Sequence, residues 1–411
     1  MADELKAWRN QFSVEDLKFK IRESTKDRHS FAGVGTGGLL CTIAAARAGL
    51  YPLWGSDNDE IMQLLWQDFV GNISLGDFNE VEPESLRSPH VLHSTLPCEN
   101  FSSTGNGMGG RGVTGCLYVN QAEWLVRLAA LIIILEMSNN APAEFPEDVA
   151  KLKNGLRDSY VLFDDVLPVW EHGDGSYRHR YIIFGVHRSL GDVAQQFKWP
   201  SGVYNEARHP VAFDFAVPDG EVPEKYLRHH STPPTVHKWR EPKAGMLHHV
   251  ARIGEGVGHS TNPHSIQSWW GLFNTQLTTN GGAQRVMLDY LPGSEVKTTR
   301  LTVPEETVAV ASLHPSYRGW LRGLWEKNSC MRQRYPDFDS MLHKCVNMGV
   351  PLRLMTALDA VAISILEKAG IAPDVPANRV VKANDASAVG AEEHVCDMQR
   401  VRSMMADWRD R

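Results

Sequence analysis

The chain has 411 residues, of which 42% are hydrophobic and 22% charged, and its formal net charge is −7. This length suits two or three domains, or one large domain with an insertion, and the acidic sum excludes nucleic-acid binding through overall basic charge while leaving room for a local patch. The six cysteines, Cys41, Cys98, Cys116, Cys330, Cys345 and Cys396, form no C-x-x-C pair, which argues against a zinc ribbon or a disulfide framework, for a reducing compartment, and for no bound metal.

The N-terminus is charged, without the apolar core of a signal peptide, and the longest apolar run, Leu128 to Leu135, is short enough to be a buried strand. No membrane segment is therefore expected. Residues 1–30 show one short helical pattern, near Val14 to Ile21. Phe31 then opens a strand that runs into glycines at 33, 35, 37 and 38, followed by an alanine- and leucine-rich helix over Leu39 to Ala48 with Gly49 as its C-cap,. Glycines at such a turn let a backbone approach a ligand closely. A plain tight turn is an equal reading.

Tyr51 to Ser56 reads as a second strand, ending in Asp57-Asn58-Asp59. An acid in this place commonly bonds ribose hydroxyls; the alternative is that Asp57 or Asp59 caps the helix from Glu60 to Phe69. A further acidic turn follows at Gly76-Asp77-Phe78. Next, the run ending at Leu96 meets Pro97-Cys98, and glycines dominate from Gly105 to Gly115. A strand that stops at a Pro-Cys step presents its thiol at the rim of a sheet, although a free cysteine is more often a small buried hydrophobe. In an open α/β sheet all four features would face one crevice at the carboxyl ends of the strands.

A helical pattern over Asn120 to Ala130 leads into Leu131 to Leu135, uniformly apolar and read as a strand buried on both faces,. Glu136 follows directly, where a carboxylate is costly unless paired or used; function and capping are both open. Residues 141–170 read as loop and helix. Arg178 and Arg180 precede another buried strand, Tyr181 to Val186, and their spacing points both side chains the same way. They are either donors for an acceptor-rich ligand or a solvated edge.

Residues 190–296 change character, with short runs, many prolines and glycines, and eight of the seventeen histidines, none in a metal-binding spacing,. Nine Lys and Arg face ten Asp and Glu there, so no basic stripe is evident; Arg240, Lys243 and Arg252 are the candidate phosphate or base contacts. Order returns at Arg300 to Glu306, with Thr302 expected as N-cap and Pro304 in the first turn. A long helix is expected over Leu352 to Lys368, and the segment beyond Ala369 begins as a Pro/Ala-rich linker.

In this order the pieces resemble the cytosine-C5 DNA methyltransferase family, from Phe31 to about Leu366. Phe31-x-Gly33-x-Gly35 resembles the family's F-x-G-x-G loop, Asp57 stands at its ribose-binding acid, and Gly76-Asp77-Phe78 resembles G-D-I. Pro97-Cys98-x-x-Phe101-Ser102 is similar to P-C-Q-x-F-S. Glu136 takes the place of the glutamate in E-N-V, Arg178-x-Arg180 that of Q-x-R-x-R, and Arg300-Leu301-Thr302-x-x-Glu305 resembles R-x-L-T-x-R-E. Met137, Ser138 and Ser176 depart from the pattern, and Asn347-Met348-Gly349-Val350-Pro351 displaces the asparagine of G-N-x-V-P.

The resemblance implies an α/β, doubly wound, Rossmann-like methyltransferase sheet with an inserted, loop-rich target-recognition domain. It divides the chain into 1–189 and 297–369 (catalytic and cofactor-binding), 190–296 (target recognition) and 370–411 (a C-terminal extension). It implies S-adenosyl-L-methionine as cofactor, held by Phe31, Gly33, Gly35, Thr36, Asp57, Asn58, Asp77, Phe78, Pro97, Met348 and Val350. It makes Cys98 the nucleophile, Glu136 the proton donor with a raised pKa, and Arg178 and Arg180 the carbonyl donors. The glycines over 105–115 would form a closing loop, with Arg111 available to a phosphate. The expected partner is double-stranded DNA, met by a monomer in the cytoplasm of a bacterial or phage-infected cell, or in a eukaryotic nucleus. The departures keep two alternatives open: a pyrimidine-C5 transferase with RNA, a modified base or a variant donor, and a catalytically weak DNA-binding scaffold.

Overall fold

The computed structural model describes residues 2–23, 27–72, 74–102, 107–205, 208, 210–229 and 298–375, together with short strands between 249 and 288. Helices α1 (Ala2–Arg9) and α2 (Val14–Arg22) come first, α2 fixed by a reciprocal Ser13–Asp16 capping box,. Strand β1 (Ser30–Val34), helix α3 (Leu40–Ala48), strand β2 (Tyr51–Ser56), helix α4 (Glu60–Val70) and strand β3 (Val91–Ser94) then alternate. Gly49, at φ +108°, ends α3, and Asp59 Oδ1 caps α4 by accepting from the Ile61 amide at 2.9 Å,.

Helix α5 (Val113–Leu128), strand β4 (Ile132–Ser138), helices α6 (Ala141–Glu144) and α7 (Pro146–Leu156), and strands β5 (Tyr160–Pro168), β6 (Ser176–Tyr177) and β7 (His179–His187) follow. The main sheet has the order β2-β1-β3-β4-β7-β5. Strands β1 to β4 pair in parallel, and β7 is antiparallel to both β4 and β5, so β7 alone runs against the other five.

Side chains alternate along each strand, and the two faces carry separate cores. Phe31, Val91, Ile132, Ile134, Ile182 and Phe184 pack with α3, α4 and the last helix of the chain. Ala32, Val34, Leu92, Ile133, Leu135 and Met137 pack with α5 and α7. Helices cover both faces, as expected for a doubly wound sheet.

Three expectations are corrected here. Strand β4 continues through Glu136 to Ser138, because β7 supplies partners as far as Ser138↔Arg180. Helix α5 begins at Val113, so 113–115 are helix and not loop; Gly115 permits this by lying against Gly109, whose carbonyl oxygen would be 1.9 Å from a Cβ at 115. Residues 160–168 form a strand where loop and helix were expected. It is an edge strand with exposed Asp164 and Asp165, and charges on an edge blunt the apolar alternation that marks a strand.

The inserted region holds strands β8 (Leu227–His229), β9 (His249–Arg252), β10 (Ser265–Ser268), β11 (Phe273–Asn274), β12 (Val286–Leu288) and β13 (Thr298–Leu301). Five of them form a second sheet in the order β8-β13-β12-β10-β9, and β11 pairs in parallel with β6. The expected boundary at 296 therefore falls just before this sheet's last strand. Arg240 and Lys243, the side chain of Arg252, part of the 105–115 segment, and everything beyond Val375 lie outside the described residues.

Helices α8 (Pro304–Val310), α9 (Ser316–Lys327), α10 (Ser329–Arg334), α11 (Phe338–Asn347) and α12 (Leu352–Lys368) complete the fold. The N-cap of α8 is Val303, not Thr302. Pro304 sets the first turn, and the buried Glu306, paired with Arg300 at 2.5 Å, accepts from the Val303 amide at 3.0 Å. Among the described residues one stretch, Phe338–Lys368, is long and apolar enough by composition to cross a membrane. It is mostly buried in the fold over its most apolar window and is broken between α11 and α12. Past α12 the chain returns to β1, where Asp374 accepts from the Ser30 amide at 2.9 Å.

Candidate functional site

The carboxyl ends of β1, β2, β3 and β4 lie along one edge of the main sheet. Cross-links hold them in place: the Gly35 amide donates to Ser56 O at 2.8 Å, and Thr95 Oγ1 donates to Gly35 O at 2.6 Å. The turn after β2 is tied in as well, because Ser56 Oγ donates to Gly76 O at 2.7 Å.

The glycine turn is a cradle in which side chains would collide. Gly35, at φ +69°, passes so close to the end of β3 that a Cβ there would lie 2.9 Å from Thr95 O. Gly37, at φ +48°, faces Met348, with 3.6 Å from its would-be Cβ to Met348 Cβ. Its amide donates to Asp57 Oδ2 at 2.8 Å, and the Asp59 amide donates to Asp57 Oδ1 at 3.0 Å. Each carboxylate oxygen accepts more than one bond, so Asp57 retains capacity for a ligand hydroxyl. Burial pushes the Asp57 carboxyl up to about 6 against the pull of those amides. Thr36 Oγ1 is buried with no hydrogen-bond partner, an unfilled polar position within the turn.

Of the other expected cofactor contacts, Phe31 is fully buried, with its ring edge-on to His93 at 4.7 Å, and Gly33 lies in β1 beside it. Asn58 and Pro97 are exposed, and Val350 is buried. Asp77 Oδ1 accepts from the amide and the side chain of Asn79 at 2.9 and 2.8 Å, capping its own turn. Phe78 is buried against Trp124 at 5.5 Å. Its ring belongs to the core behind the turn. The structure thus gathers Gly35, Gly37, Asp57 and Met348 directly, with Asp77 attached through Ser56.

Cys98 stands next along the edge, half-buried at the start of a single 3-10 turn over Glu99–Phe101. Three residues face it. Glu136, 5% exposed, has Arg180 Nε 2.5 Å and Arg178 Nη2 3.5 Å from its Oε1. Pairing places Ser138 opposite Arg180 and Glu136 opposite Ile182, so Glu136 and Arg180 project from the same face of the sheet. Met137, one residue on, points to the other face and is 1% exposed in the second core.

Burial raises the Cys98 thiol above its ordinary value, and the Glu136 carboxylate raises it further. Arg180, Arg178 and a backbone hydrogen bond from Ser138 act in the opposite sense. Burial and the neighbouring Arg180 bring the Arg178 guanidinium down to about 10. Arg178 Nη1 also donates to Gly349 O at 2.8 Å, which ties the Glu136 carboxylate to the segment that covers the glycine turn.

Two supporting residues escaped the sequence reading. Tyr118 on α5, fully buried, donates to Glu136 O and lies 3.3 Å from Ser94 O. Asn100, 2% exposed, packs against Gly112 and Gly115 at the start of α5. Both act across long sequence separations, and only the run of glycines before α5 hints at the close packing. Among the described residues no group of three or more His, Cys, Asp or Glu side chains could hold a metal ion, and the described cysteines are all free thiols.

Residues 30–242 match the family model described as C-5 cytosine-specific DNA methylase. The type II methyltransferase M.HaeII of Haemophilus aegyptius is 25% identical over 191 residues, 46% of this chain and 58% of that protein. M.NgoBI of Neisseria gonorrhoeae, also a type II methyltransferase, is 23% identical over 222 residues, 52% of this chain and 68% of its own length. The chain thus spans little more than half of the first of these curated relatives. Among solved structures, the S. pombe Dnmt2 methyltransferase superposes with a TM-score of 0.56 at 12% identity, covering 83% of this chain and 99% of that one. The Entamoeba histolytica methyltransferase EhMeth gives a TM-score of 0.55 at 10% identity, with the same coverage. At these identities the superpositions speak for the fold, a Rossmann-like methyltransferase sheet.

Proposed function

This chain belongs to the C-5 cytosine-specific DNA methylase family, and on that premise we propose that it transfers a methyl group from S-adenosyl-L-methionine to C5 of cytosine in double-stranded DNA. The reaction proceeds through a covalent bond between Cys98 Sγ and C6 of a base turned out of its duplex. The observation that carries the reading is the constellation at the sheet edge: a half-buried thiol facing a carboxylate that is gripped by two arginines.

C5 of cytosine is a poor nucleophile until the ring is opened electronically. Cys98, as thiolate, adds to C6. The electron pair displaced by this addition makes C5 an enamine carbon, while Glu136 supplies a proton to N3 and Arg180 holds O2 as a charge-assisted donor. Arg178 keeps Glu136 and the 347–350 segment in register. When bound, S-adenosyl-L-methionine supplies an electrophilic sulfonium methyl, and Gly35, Thr36, Gly37 and Asp57 would hold it against this edge. C5 forms the new carbon–carbon bond as the methyl's bond to sulfur breaks and a neutral thioether is left; loss of the C5 proton to solvent then returns its electrons to the ring and expels Cys98 as thiolate, and the N3 proton goes back to Glu136. A stacked base cannot reach Cys98, so the target nucleotide must be flipped. The inserted region, 190–296, would read the surrounding sequence, and residues 107–112, packed on the Cys98 turn, would close over the base.

Incubation with donor and a pool of random-sequence duplexes carrying 5-fluorocytosine tests this. Fluorine cannot leave as a proton does, so the wild type is expected to accumulate a protein–DNA adduct stable on a denaturing gel, and Cys98→Ala none. An RNA pool of the same design reports the preferred nucleic acid. Failure of the wild type to form adduct on either pool would sink the nucleophile assignment.

A further inference from the structure

Residues 173–177 lead directly into Arg178 and Arg180, and the inserted region grips that stretch at three places. Tyr204 lies on Gly173, where a Cβ would come within 2.8 Å of its Cε2, and the Val203 and Tyr204 amides donate to Glu171 O at 2.8 and 2.9 Å. Phe215, which ends a 3-10 turn over Ala212–Phe215, lays its ring on Gly175, where a Cβ would meet ring carbons at 2.4 to 2.8 Å. Strand β11 then pairs with β6, Phe273 opposite Ser176 and Asn274 opposite Tyr177.

The rest of the fold closes the other side. The Gly175 amide donates to Val310 O at 3.2 Å, and Leu5 of α1 packs with Tyr204, Phe215, Ala309 and Val310. Glycine at 173 and 175 is what allows two aromatic rings to lie against this backbone. Little slack remains between those rings and the arginines. The Arg178 amide donates to Ser176 O at 2.8 Å, the Val169 amide donates to Arg178 O at 3.0 Å, and Arg180 enters the sheet opposite Ser138. Tyr204 and Phe215 are buried, so their side chains cannot touch a nucleic acid, and what they hold is the approach to the two arginines.

We propose that Tyr204 and Phe215 are positioning residues: from the inserted region they fix residues 173–177 and, through them, the Arg178 and Arg180 guanidinium groups against Glu136 and Cys98. The inserted region thereby completes the reacting end of the site as well as serving as its reader. The inference rests on the roles given above to Cys98, Glu136 and the two arginines.

The groups that face Cys98 are Glu136 and the Ser138 amide on β4, Tyr118 on α5, and the two arginines. The pH at which its thiolate forms therefore reports where the arginines stand. Iodoacetamide alkylation of the full chain, read at the Cys98 peptide by mass spectrometry, measures this and needs neither donor nor DNA. In Phe215→Ala the Cys98 profile should move to higher pH, with alkylation at pH 7 slowed by roughly 3- to 10-fold. In an Arg178→Gln/Arg180→Gln background the same substitution should add almost nothing, because its effect passes through the arginines. Cys41 and Cys345, both buried, report folding: if either is labelled in Phe215→Ala, the smaller change Phe215→Leu takes its place in the comparison. An unmoved profile in a folded variant overturns the inference, and so does an equal shift with and without the arginines. Should the expected shift appear while wild type forms no 5-fluorocytosine adduct, the positioning stands and the methyl-transfer reading fails.

Discussion

Cys98 sits between charges of opposite sign, and its reactivity is the difference between them. Burial and Glu136 raise the thiol, while Arg180 and Arg178 lower it. Removing the carboxylate charge in Glu136→Gln should therefore move the pH profile of Cys98 alkylation to lower pH, and Arg180→Gln should move it to higher pH. Iodoacetamide labelling in a Cys116→Ser background, needed because Cys116 is exposed, measures both. Catalysis should respond differently. Glu136→Gln frees thiolate yet removes the proton donor, so methyl transfer is expected to fall by roughly 10²- to 10⁴-fold even as alkylation at neutral pH speeds up. Parallel changes in the two rates would show that Glu136 acts only by setting the charge around Cys98.

The elements that carry the site are held by bonds between their ends, and Tyr118 is the clearest. From α5 its hydroxyl reaches the carbonyls of Glu136 in β4 and Ser94 in β3, fixing the spacing between the Cys98 turn and Glu136. Tyr118→Phe removes both bonds and should cost about 1–3 kcal/mol in urea unfolding, with a loss of methyl transfer larger than the change in donor affinity. An unchanged single-turnover rate would reduce Tyr118 to a packing role. Elements of this kind were unevenly legible in the sequence. Helix α12 runs from Leu352 to Lys368 as its spacing suggests, because a long apolar stripe between a proline and a chain reversal has one solution. Strand β5 and the first turn of α5 were missed, the one because it is a charged edge, the other because its glycines serve packing rather than a loop. At the site, the residue types and their order pointed to Cys98, Glu136, Arg178 and Arg180. What brings the acid and the arginines together is the antiparallel register of β4 on β7. That same register turns Met137 away, and no local pattern states it.

At the scale of the whole molecule, one buried ion pair joins the middle of the sheet to the last helix. His93 Nε2 on β3 lies 2.7 Å from Asp359 Oδ1 on α12, both side chains wholly inaccessible, and the His93 ring supports Phe31 from behind the glycine turn. The pair thereby registers α12, and the 347–350 segment before it, against the strand that leads toward Cys98. Burial alone would pull the His93 pKa down, but the Asp359 carboxylate and its hydrogen bond outweigh that and hold it at about 9. A histidine raised in this way contributes stability that is fully present below its unfolded value of about 6.5 and is lost as pH rises through about 9,. Burial raises Asp359 too, which opposes a loss at acid pH and leaves the alkaline limb as the signature of the pair. Urea midpoints between pH 6 and pH 9.5 should therefore fall more steeply for wild type than for His93→Leu/Asp359→Leu. The single variant His93→Leu, which strands a buried carboxylate, should be less stable than the double variant by about 3–5 kcal/mol. Equal alkaline slopes in wild type and the double variant would mean that the pair is neutral in the folded protein, and that packing alone sets α12 against the sheet.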